Sequence, residues 1–379
     1  MSDRTLAEVF SPGDFIKEEL EARNWTQDDL AEILGRPTRL VNELIAAKRG
    51  ITPETAKGLG EALGTSAQLW MNLEAVYRLS LSNSEHEPVA RRASLYEKAP
   101  VRAMIRRNWI EPSSNIDVLE KNLCDFLGLT DINQESHFFS HVARKSTPYH
   151  QLTQEQNVWL YRASHLANSI QALDYSQARL KKAFTQLKML LPNPEEIRKV
   201  PEILSECGIR FLVIEPLPQS KIDGATFWIN NSPIVVLSLR YDRIDWFWYT
   251  LMHELAHVKN EDGKRNNNYA LDTNLMEEQA KAIEDRPAYE IKADEFASNF
   301  LIPQDELDNF IARTRPLYSK KKIIGFANRL CIHPGLVLGQ IHYREKNYSY
   351  SREMLIKIRH IITSVALTDG WGINIPMFS

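Results

Sequence analysis

Residues 243–259 read RIDWFWYTLMHELAHVK, a stretch in which apolar side chains recur at helical spacing. His253 and His257 are four residues apart, so on a helix both imidazoles project from one face and can bind one metal ion. Glu254 lies beside them, where it can take a proton from a water on that ion and later pass it to a leaving amine. This stretch therefore predicts a helix that carries two zinc ligands and a general base.

A catalytic zinc site needs a third protein ligand, and the residues after His257 do not begin the Gly-x-x-His continuation that would supply another histidine. The best candidate is Glu290 on a second predicted helix over 288–302. Asp294 follows it by one turn and could hydrogen-bond the far nitrogen of a ligand histidine. Four other carboxylates are rivals of Glu290, with the first preferred to the rest: Glu295, Glu277, Glu278 and Glu284.

Three β-rich runs precede the histidine helix, at Ile209–Ile214, Ala225–Ile229 and Ile234–Leu239. Asn230-Asn231-Ser232-Pro233 between the last two suits a hairpin turn. A small sheet beside the metal site suggests that a peptide substrate adds as an extra strand, and Ala225–Ile229 is the candidate edge.

The whole chain has 379 residues, a formal net charge of −3 and three widely spaced cysteines. We therefore expect several domains with reduced thiols, and the charge excludes a strongly basic nucleic-acid coat protein. Neither a secretory leader nor a membrane span is indicated, so the sequence predicts a cytoplasmic protein without a membrane partner.

The N-terminal region reads as five short helices. Helix starts are predicted at Ser11-Pro12, at Thr26, at Thr38, at Thr52-Pro53 and at Thr65-Ser66. This order is typical of an all-helical helix-turn-helix unit that binds DNA.

DNA contacts are predicted around the third of these helices. Residues 1–80 carry nine Lys and Arg against thirteen Asp and Glu, whereas residues 36–49 carry four cations against one Glu. Thr38, Arg39 and Asn42 could reach base edges in the major groove. Contacts to phosphates are assigned to Gln27, Arg36, Lys48 and Arg49. The alternative is a helical bundle used only for protein contacts; a homodimer would double the DNA contacts.

The expected fold is multidomain and mainly α with an α+β part. The predicted domains are a helix-turn-helix domain over 1–80, a helical linker or middle region over 81–191, a zinc metallopeptidase domain over 192–345 and a C-terminal helical extension over 346–379. A polar stretch from Ser82 to Pro88 marks the first linker.

Two regions of the chain each resemble a known protein family. The N-terminal region is similar to the HigA-like antitoxin branch of the XRE helix-turn-helix family, through Pro12-Gly13, Thr26-Gln27-Asp28-Asp29-Leu30-Ala31, Lys48-Arg49-Gly50-Ile51-Thr52-Pro53 and Leu63-Gly64-Thr65. Residues 200–340 resemble the ImmA/IrrE metallopeptidases, through His253–His257, Glu290-x-x-Ala293-Asp294-x-Phe296-Ala297, Leu301-Ile302-Pro303 and Ile332-His333-Pro334-Gly335.

The resemblance implies a gluzincin-like fold, zinc as cofactor, His253, His257 and Glu290 as its ligands and Glu254 as the base. It also implies a zinc metalloendopeptidase that cleaves a repressor bound to operator DNA and so switches on stress, phage or mobile-element genes. In these metallopeptidases Asn is also common at the position where this chain has Asp294. The alternative is a HigA-like antitoxin or repressor whose peptidase-like domain senses a signal or binds a partner toxin.

Fusion of the two halves raises self-cleavage in the linker as a further hypothesis.

Overall fold

The chain is described here by a computed structural model, which covers residues 9–81, 87–134, 152–264, 269–273, 286–373 and 375. It divides into two compact units, Met1–Arg91 and Arg92–Ser379. Each unit has its own hydrophobic core.

The first unit is a bundle of helices in the predicted order. They are α1 (Pro12–Arg23), α2 (Gln27–Ile33), α3 (Thr38–Ile45), α4 (Pro53–Leu63) and α5 (Ala67–Leu81). Ser11 and Thr26 cap α1 and α2 with their hydroxyls, and the carboxylates of Asp14 and Asp29 accept hydrogen bonds from the backbone N–H groups of these two cap residues. The predicted helix starts are confirmed. Capping side chains accept from unpaired backbone N–H groups at a helix start, and a proline in the first turn removes one such group.

Close contact between α1 and α3 depends on Gly13. A Cβ at this position would lie 2.2 Å from the carbonyl oxygen of Ile45. Helical spacing predicts that α2 buries Leu30, Ile33 and Leu34. For Ile33 this is wrong, since it is 50% exposed and the buried side of the short helix falls on Leu30 and Ala31.

The second unit surrounds a sheet with helices. The boundary between the units falls within α6 (Glu87–Lys98). The other helices before the sheet are α7 (Val101–Arg106), α8 (Ile116–Leu127), α9 (Gln154–Asn168), α10 (Gln177–Leu190) and α11 (Val200–Glu206). Those after its first three strands are α12 (Ile244–Asn260), α13 (Ala288–Leu301), α14 (Gln304–Thr314), α15 (Lys320–Leu330), α16 (Pro334–Glu345) and α17 (Arg359–Ile362).

The sheet has five described strands. They are β1 (Arg210–Ile214), β2 (Ile222–Ile229), β3 (Ser232–Leu237), β4 (Tyr269–Thr273) and β5 (Leu367–Asp369), in the order β4-β2-β3-β1-β5. β1 is parallel to β3 and β5, whereas β2 is antiparallel to β3 and β4. Asn230 and Asn231 both have positive φ in the predicted hairpin turn, as a two-residue turn of the favoured hand requires.

Both faces of β1, β2 and β3 are covered, and alternate residues of these strands serve different cores. Phe211 and Val213 of β1 join the core that contains α12. Leu212 and Ile214 join the core built by the helices of the middle region, with Trp109, Phe126 and Trp159. β1 and β3 therefore read as nearly continuous apolar runs, because neither face meets water.

The middle region thus shares a core with strands of the predicted peptidase domain. The domain boundaries at residues 80, 191 and 345 stay predictions. The structure divides the chain once, between Arg91 and Arg92.

Two strands were not anticipated. β4 follows the histidine helix, and β5 lies in the C-terminal extension that was predicted to be helical. β5 is held from the middle region, because Trp109 Nε1 donates to Asp369 Oδ2 at 2.9 Å and Arg162 Nε donates to the same oxygen at 2.5 Å. A three-residue strand has too little periodicity to be read from its own residues.

In the parts of the chain that the structure covers, none of the helices combines the length and apolarity needed to cross a bilayer.

Candidate metal centre and DNA-binding surface

The predicted histidine helix is α12, and it is buried on nearly all sides between the sheet and its neighbouring helices. His253, Glu254 and His257 are each 0% exposed. Burying three ionisable groups costs several kcal/mol unless each one is paired or binds a metal. The next question is therefore which groups pair with these three side chains.

Three of the predicted ligand atoms meet at one point. Nε2 of His253 lies 3.1 Å from Nε2 of His257 and 3.1 Å from Oε2 of Glu290, and Nε2 of His257 lies 3.6 Å from the same oxygen. The three side chains form a buried group whose ligand atoms all lie within 4.8 Å of one another. Such an arrangement can hold a metal ion with an open position for water.

Each histidine also has a carboxylate behind it. Nδ1 of His253 lies 2.9 Å from Oδ1 of Asp294, as the sequence led us to expect. Nδ1 of His257 lies 2.9 Å from Oδ2 of Asp262, which the sequence analysis missed. Carboxylates in these positions orient both Nε2 atoms toward a common centre.

The reason for the second contact is the way that α12 ends. Glu261 adopts a left-handed conformation with φ 56°, and the backbone N–H of Asp262 donates to the carbonyl of His257 at 3.0 Å. This cap turns the chain back, so that Asp262 reaches the ring of the residue five positions earlier. An Asp shortly after the second histidine is the only signal that sequence could have offered.

Asp294 is itself held from two sides. The hydroxyl of Tyr249 donates to Oδ1 at 2.6 Å, and the guanidinium of Arg286 donates to Oδ2. Both contacts leave the carboxylate little freedom to move away from His253.

The electrostatics of the group favour charged carboxylates. Burial by itself would lower the pKa of His257, but hydrogen bonds to Asp262 and Glu290 raise it to about 9. Burial opposes ionisation of Glu290, yet hydrogen bonds to His253 and His257 hold its pKa well below the usual range. Burial likewise opposes ionisation of Asp294, whereas the interaction with His253 lowers its pKa to about 2. Protons and a metal ion would therefore compete for the same nitrogens.

The carboxylate of Glu254 lies against strand β2. Its Oε2 accepts a hydrogen bond of 2.7 Å from the hydroxyl of Thr226, which also donates to the Glu254 carbonyl at 3.1 Å. A Cβ on Gly224 would lie 2.1 Å from Oε1 of Glu254, so only glycine leaves room for the carboxylate. Neither β2 residue was identified from sequence, because their proximity depends on how the helix crosses the sheet.

Of the four carboxylates that were alternatives to Glu290, the structure describes one. Glu295 is exposed on α13 and is absent from the buried group. The other rivals, Glu277, Glu278 and Glu284, lie outside the described residues.

The expected site of substrate addition is wrong. β2 pairs with β3 on one side and with β4 on the other, so Ala225–Ile229 offers no free edge in this structure. Within the described residues, β4 ends this side of the sheet. Gly224 and Thr226 pair with Asp272 and Ala270 of β4, which places the edge one strand away from Glu254.

The predicted DNA-contacting residues lie on or next to α2 and α3 of the first unit. Most of them are exposed, namely Gln27, Arg36, Arg39, Asn42, Lys48 and Arg49, and Thr38 at the start of α3 is half-buried. Their side chains could therefore reach a double helix.

Glu43 lies among these cations. Its carboxylate accepts from Arg39 Nε at 2.8 Å and lies 3.5 Å from a terminal nitrogen of Arg49. Arg36 pairs instead with Glu54. The positive charges of Arg36, Arg39 and Arg49 are therefore partly neutralised by carboxylates of the same unit.

The fold and the side chains define a class of protein: one unit is a helix-turn-helix and the other carries a buried His-His-Glu group beside a glutamate. Comparison with protein families agrees, since residues 16–70 match the helix-turn-helix family and residues 206–330 match the IrrE N-terminal-like domain, a peptidase family. The chain thus belongs to the XRE-type helix-turn-helix family, fused to an IrrE-like peptidase domain.

Curated relatives match through the first unit. Virulence-associated protein I of Dichelobacter nodosus is 30% identical over 79 residues, which are 21% of this chain and 73% of that protein. The uncharacterized HTH-type transcriptional regulator YddM of Escherichia coli is 32% identical over 69 residues, or 18% of this chain and 73% of the relative.

Solved structures match the same region. The antitoxin HigA of Pseudomonas aeruginosa, solved with the higBA promoter, is 32% identical over 21% of this chain and 95% of its own, with a TM-score of 0.20. An addiction module antidote protein of the HigA family from Coxiella burnetii is 30% identical over 20% of this chain and 84% of its own, also with a TM-score of 0.20.

Proposed function

We propose that the second unit is a zinc endopeptidase and that the first unit binds operator DNA, so that the protein cleaves a transcriptional repressor and thereby derepresses stress, phage or mobile-element genes. The observation that carries this proposal is the buried group of His253, His257 and Glu290 with Glu254 beside it. A structural zinc site has no need of an adjacent buried base.

The residues present fit a zinc ion. His253, His257 and Glu290 would hold it, because their ligand atoms converge and two carboxylates orient the rings from behind. When bound, zinc supplies a Lewis acid that activates water and polarises a peptide carbonyl. The Glu ligand on a separate helix is in keeping with a gluzincin-like fold.

Glu254 is the proposed general base. Its carboxylate would accept the proton of the attacking water and donate it to the leaving amine. Thr226 holds Oε2 in one orientation, and Gly224 leaves the space that the carboxylate needs. Burial excludes bulk water from this transfer.

Asp294 and Asp262 would act by positioning. Each accepts from Nδ1 of a histidine and thereby keeps Nε2 deprotonated and directed at the metal. Tyr249 and Arg286 keep Asp294 in place.

Substrate binding by strand addition is proposed at β4 instead of β2. β4 has β2 on one side and is the last described strand in that direction. An extended peptide could pair with its outer backbone groups, as in other cases of β-augmentation.

For the first unit, we propose that α3 enters the major groove of operator DNA. Thr38, Arg39 and Asn42 would contact base edges, while Gln27, Arg36, Lys48 and Arg49 would contact phosphates. A HigA of similar sequence was solved with its promoter, and a homodimer would place two such helices on two half-sites.

Metal content tests the core of the proposal. The wild-type protein and the His253→Ala, Glu254→Gln and Glu290→Ala variants are purified without added zinc and measured by elemental analysis. About one zinc per chain is expected for the wild type and for Glu254→Gln, with loss from the other two. Absence of metal from the wild type after zinc is supplied would contradict a zinc peptidase.

A second candidate function is a HigA-like antitoxin or repressor whose peptidase-like unit senses a signal or binds a partner toxin. It is favoured by the curated relatives, which match through the helix-turn-helix region. Repression of a reporter by Glu254→Gln at wild-type strength, together with unaltered induction, would favour this candidate over proteolysis.

Self-cleavage is a variant of the first proposal. It would cut near Ser82 to Pro88, of which residues 82–86 lie outside the described part of the chain, and would release the DNA-binding unit. An intact chain after long incubation with zinc would contradict it.

A further inference from the structure

A pocket of about 450 Å³ lies between α12, α13 and α16 of the second unit. Pockets of this size typically hold a small organic molecule. None of His253, Glu254, His257 or Glu290 lines it. The pocket is therefore separate from the metal-binding group, and the proposed peptidase mechanism uses only the wall residues Tyr249, Arg286 and Asp294, which position His253.

Its position relative to the histidines argues against a substrate pocket. Asp294, which lines the pocket, contacts Nδ1 of His253, whereas the proposed metal-binding atom is Nε2 on the other side of the same ring. Tyr249 also lines the pocket and donates to Asp294. A ligand in this pocket would contact the residues that hold His253 from behind.

Four aromatic side chains line the pocket, and each is only half-buried. Trp246 and Tyr249 are contributed by α12, and their ring centroids are 6.2 Å apart. Tyr343 lies on α16, and Tyr348 follows that helix. Rings with partly exposed faces favour a flat aromatic ligand, because stacking adds to the burial of apolar surface.

The same walls carry three arginines. Arg243 makes a two-pronged pair with Asp245, and Arg286 pairs with Asp294. Arg344 donates to Oε1 of Gln304 at 2.6 Å and to Oδ1 of Asp308 at 3.0 Å. Gln304 is neutral and lines the pocket, whereas Asp308 is 61% exposed and does not line it. An exposed ion pair contributes little, so Arg344 can exchange Asp308 for a ligand carboxylate at small cost. Glu295, the remaining carboxylate of the lining, is exposed and lies in solvent.

We propose that this pocket binds a small aromatic carboxylate, with Tyr343 stacking on the ring and Arg344 pairing with the carboxylate. Arginine suits the second role because its planar fork matches a carboxylate with two parallel hydrogen bonds.

Two matched probes test the proposal on the full-length protein by isothermal titration calorimetry. Indole-3-acetate carries the ring and the charge, and indole-3-acetamide carries the ring alone. The wild type is expected to bind the acetate with a submillimolar Kd and the amide about 10-fold more weakly, as expected for a charge-assisted pair.

Two variants separate the contributions of ring and charge. Tyr343→Ala is expected to weaken both probes, whereas Arg344→Gln is expected to weaken the acetate and leave the amide unchanged. Tyr96→Ala and Arg329→Gln are controls, because Tyr96 and Arg329 are exposed and line no part of this pocket; their Kd values should equal the wild type.

Absence of acetate binding by the wild type at millimolar concentration would overturn the proposal, as would unaltered binding by both pocket variants. Equal affinity for the two probes would overturn the assignment to a carboxylate. The measurement needs neither zinc nor peptide cleavage, and it is repeated with Glu254→Gln, so its outcome is independent of the proposed peptidase.

Discussion

The hydroxyl of Thr226 on β2 lies 2.7 Å from Oε2 of Glu254 on α12. The two residues are 28 positions apart in the chain, and both are completely buried. A buried carboxylate with a hydroxyl donor is fixed in one rotamer, which is what proton transfer at a defined atom requires. This contact makes the sheet part of the proposed active site.

Thr226→Val is therefore expected to impair cleavage without loss of metal. A hydrogen bond to a charged group contributes about 1.5 to 3 kcal/mol, which corresponds to a fall in kcat of about 10- to 100-fold. Peptide cleavage and zinc content are measured together. Thr226→Ser keeps the hydroxyl and should restore most of the rate; a Thr226→Val enzyme with full activity would show that the contact has no positioning role.

Gly224→Ala is expected to displace the same carboxylate from the other side. The added Cβ would lie 2.1 Å from Oε1 of Glu254, so the side chain must move. A displacement of about 1 Å can cost about 100-fold in rate. Cleavage and thermal unfolding are compared for the variant and the wild type.

Gly325→Ala is the control for this substitution. Gly325 is exposed within α15, and a Cβ there meets no atom within 4 Å. Alanine should stabilise the helix by about 0.5 to 1 kcal/mol and leave cleavage unchanged. Equal activity of both alanine variants would contradict the close approach of Gly224 to the base.

Asp262→Asn is expected to weaken zinc binding. The carboxylate orients His257 through its Nδ1, and loss of such a partner typically reduces metal affinity about 10- to 100-fold. Competition with a chromophoric chelator gives the dissociation constant. The neighbouring Glu261 pairs with Lys264 at the surface, so Glu261→Gln should bind zinc like the wild type. Identical affinities for the two variants would rule out the proposed role of Asp262.

Glu43→Gln is expected to strengthen DNA binding. Glu43 accepts from Arg39 and lies near Arg49, so its removal frees both cations for phosphates. Each additional phosphate contact steepens the plot of log affinity against log salt by about 0.9. Fluorescence anisotropy with random-sequence duplex DNA at several salt concentrations measures both quantities. Glu61→Gln removes the same charge from α4, and a similar gain by this variant would show that Glu43 acts only through net charge.

The stability of the second unit should fall at acidic pH through His165. Burial lowers the pKa of this residue to about 4, and its ring contacts Phe126 edge-on at 5.1 Å. A histidine with a depressed folded-state pKa favours the neutral form, so its contribution is complete above the unfolded value of 6.5 and is lost as the pH falls toward 4.

Chemical unfolding between pH 7 and pH 4 measures this effect. As the pH falls, the unfolding free energy of the wild type minus that of His165→Gln should decrease by at most about 1.4 kcal/mol per pH unit. A constant difference across the range would show that His165 has the same pKa in the folded and the unfolded protein.

Much of the site could be predicted from local spacing. His253 and His257 lie one helical turn apart, as do Glu290 and Asp294, and helical periodicity alone places each pair on one face. The prediction that Glu290 outranks Glu295 agrees with its place in the buried group. Residues that approach from another element, such as Thr226, could not be assigned, because their local sequence shows only a buried strand.

Sequence by itself determined the order of the helices in the first unit, the hairpin at Asn230-Asn231 and the helix with its two histidines. These features depend on capping, turn preferences and periodicity, which act over a few residues. Tertiary structure alone decided that β4 covers the edge of β2, that Asp262 backs His257 and that Asp369 joins the sheet to the middle region. Those relationships depend on packing between elements distant in the chain, for which a single sequence carries no local signal.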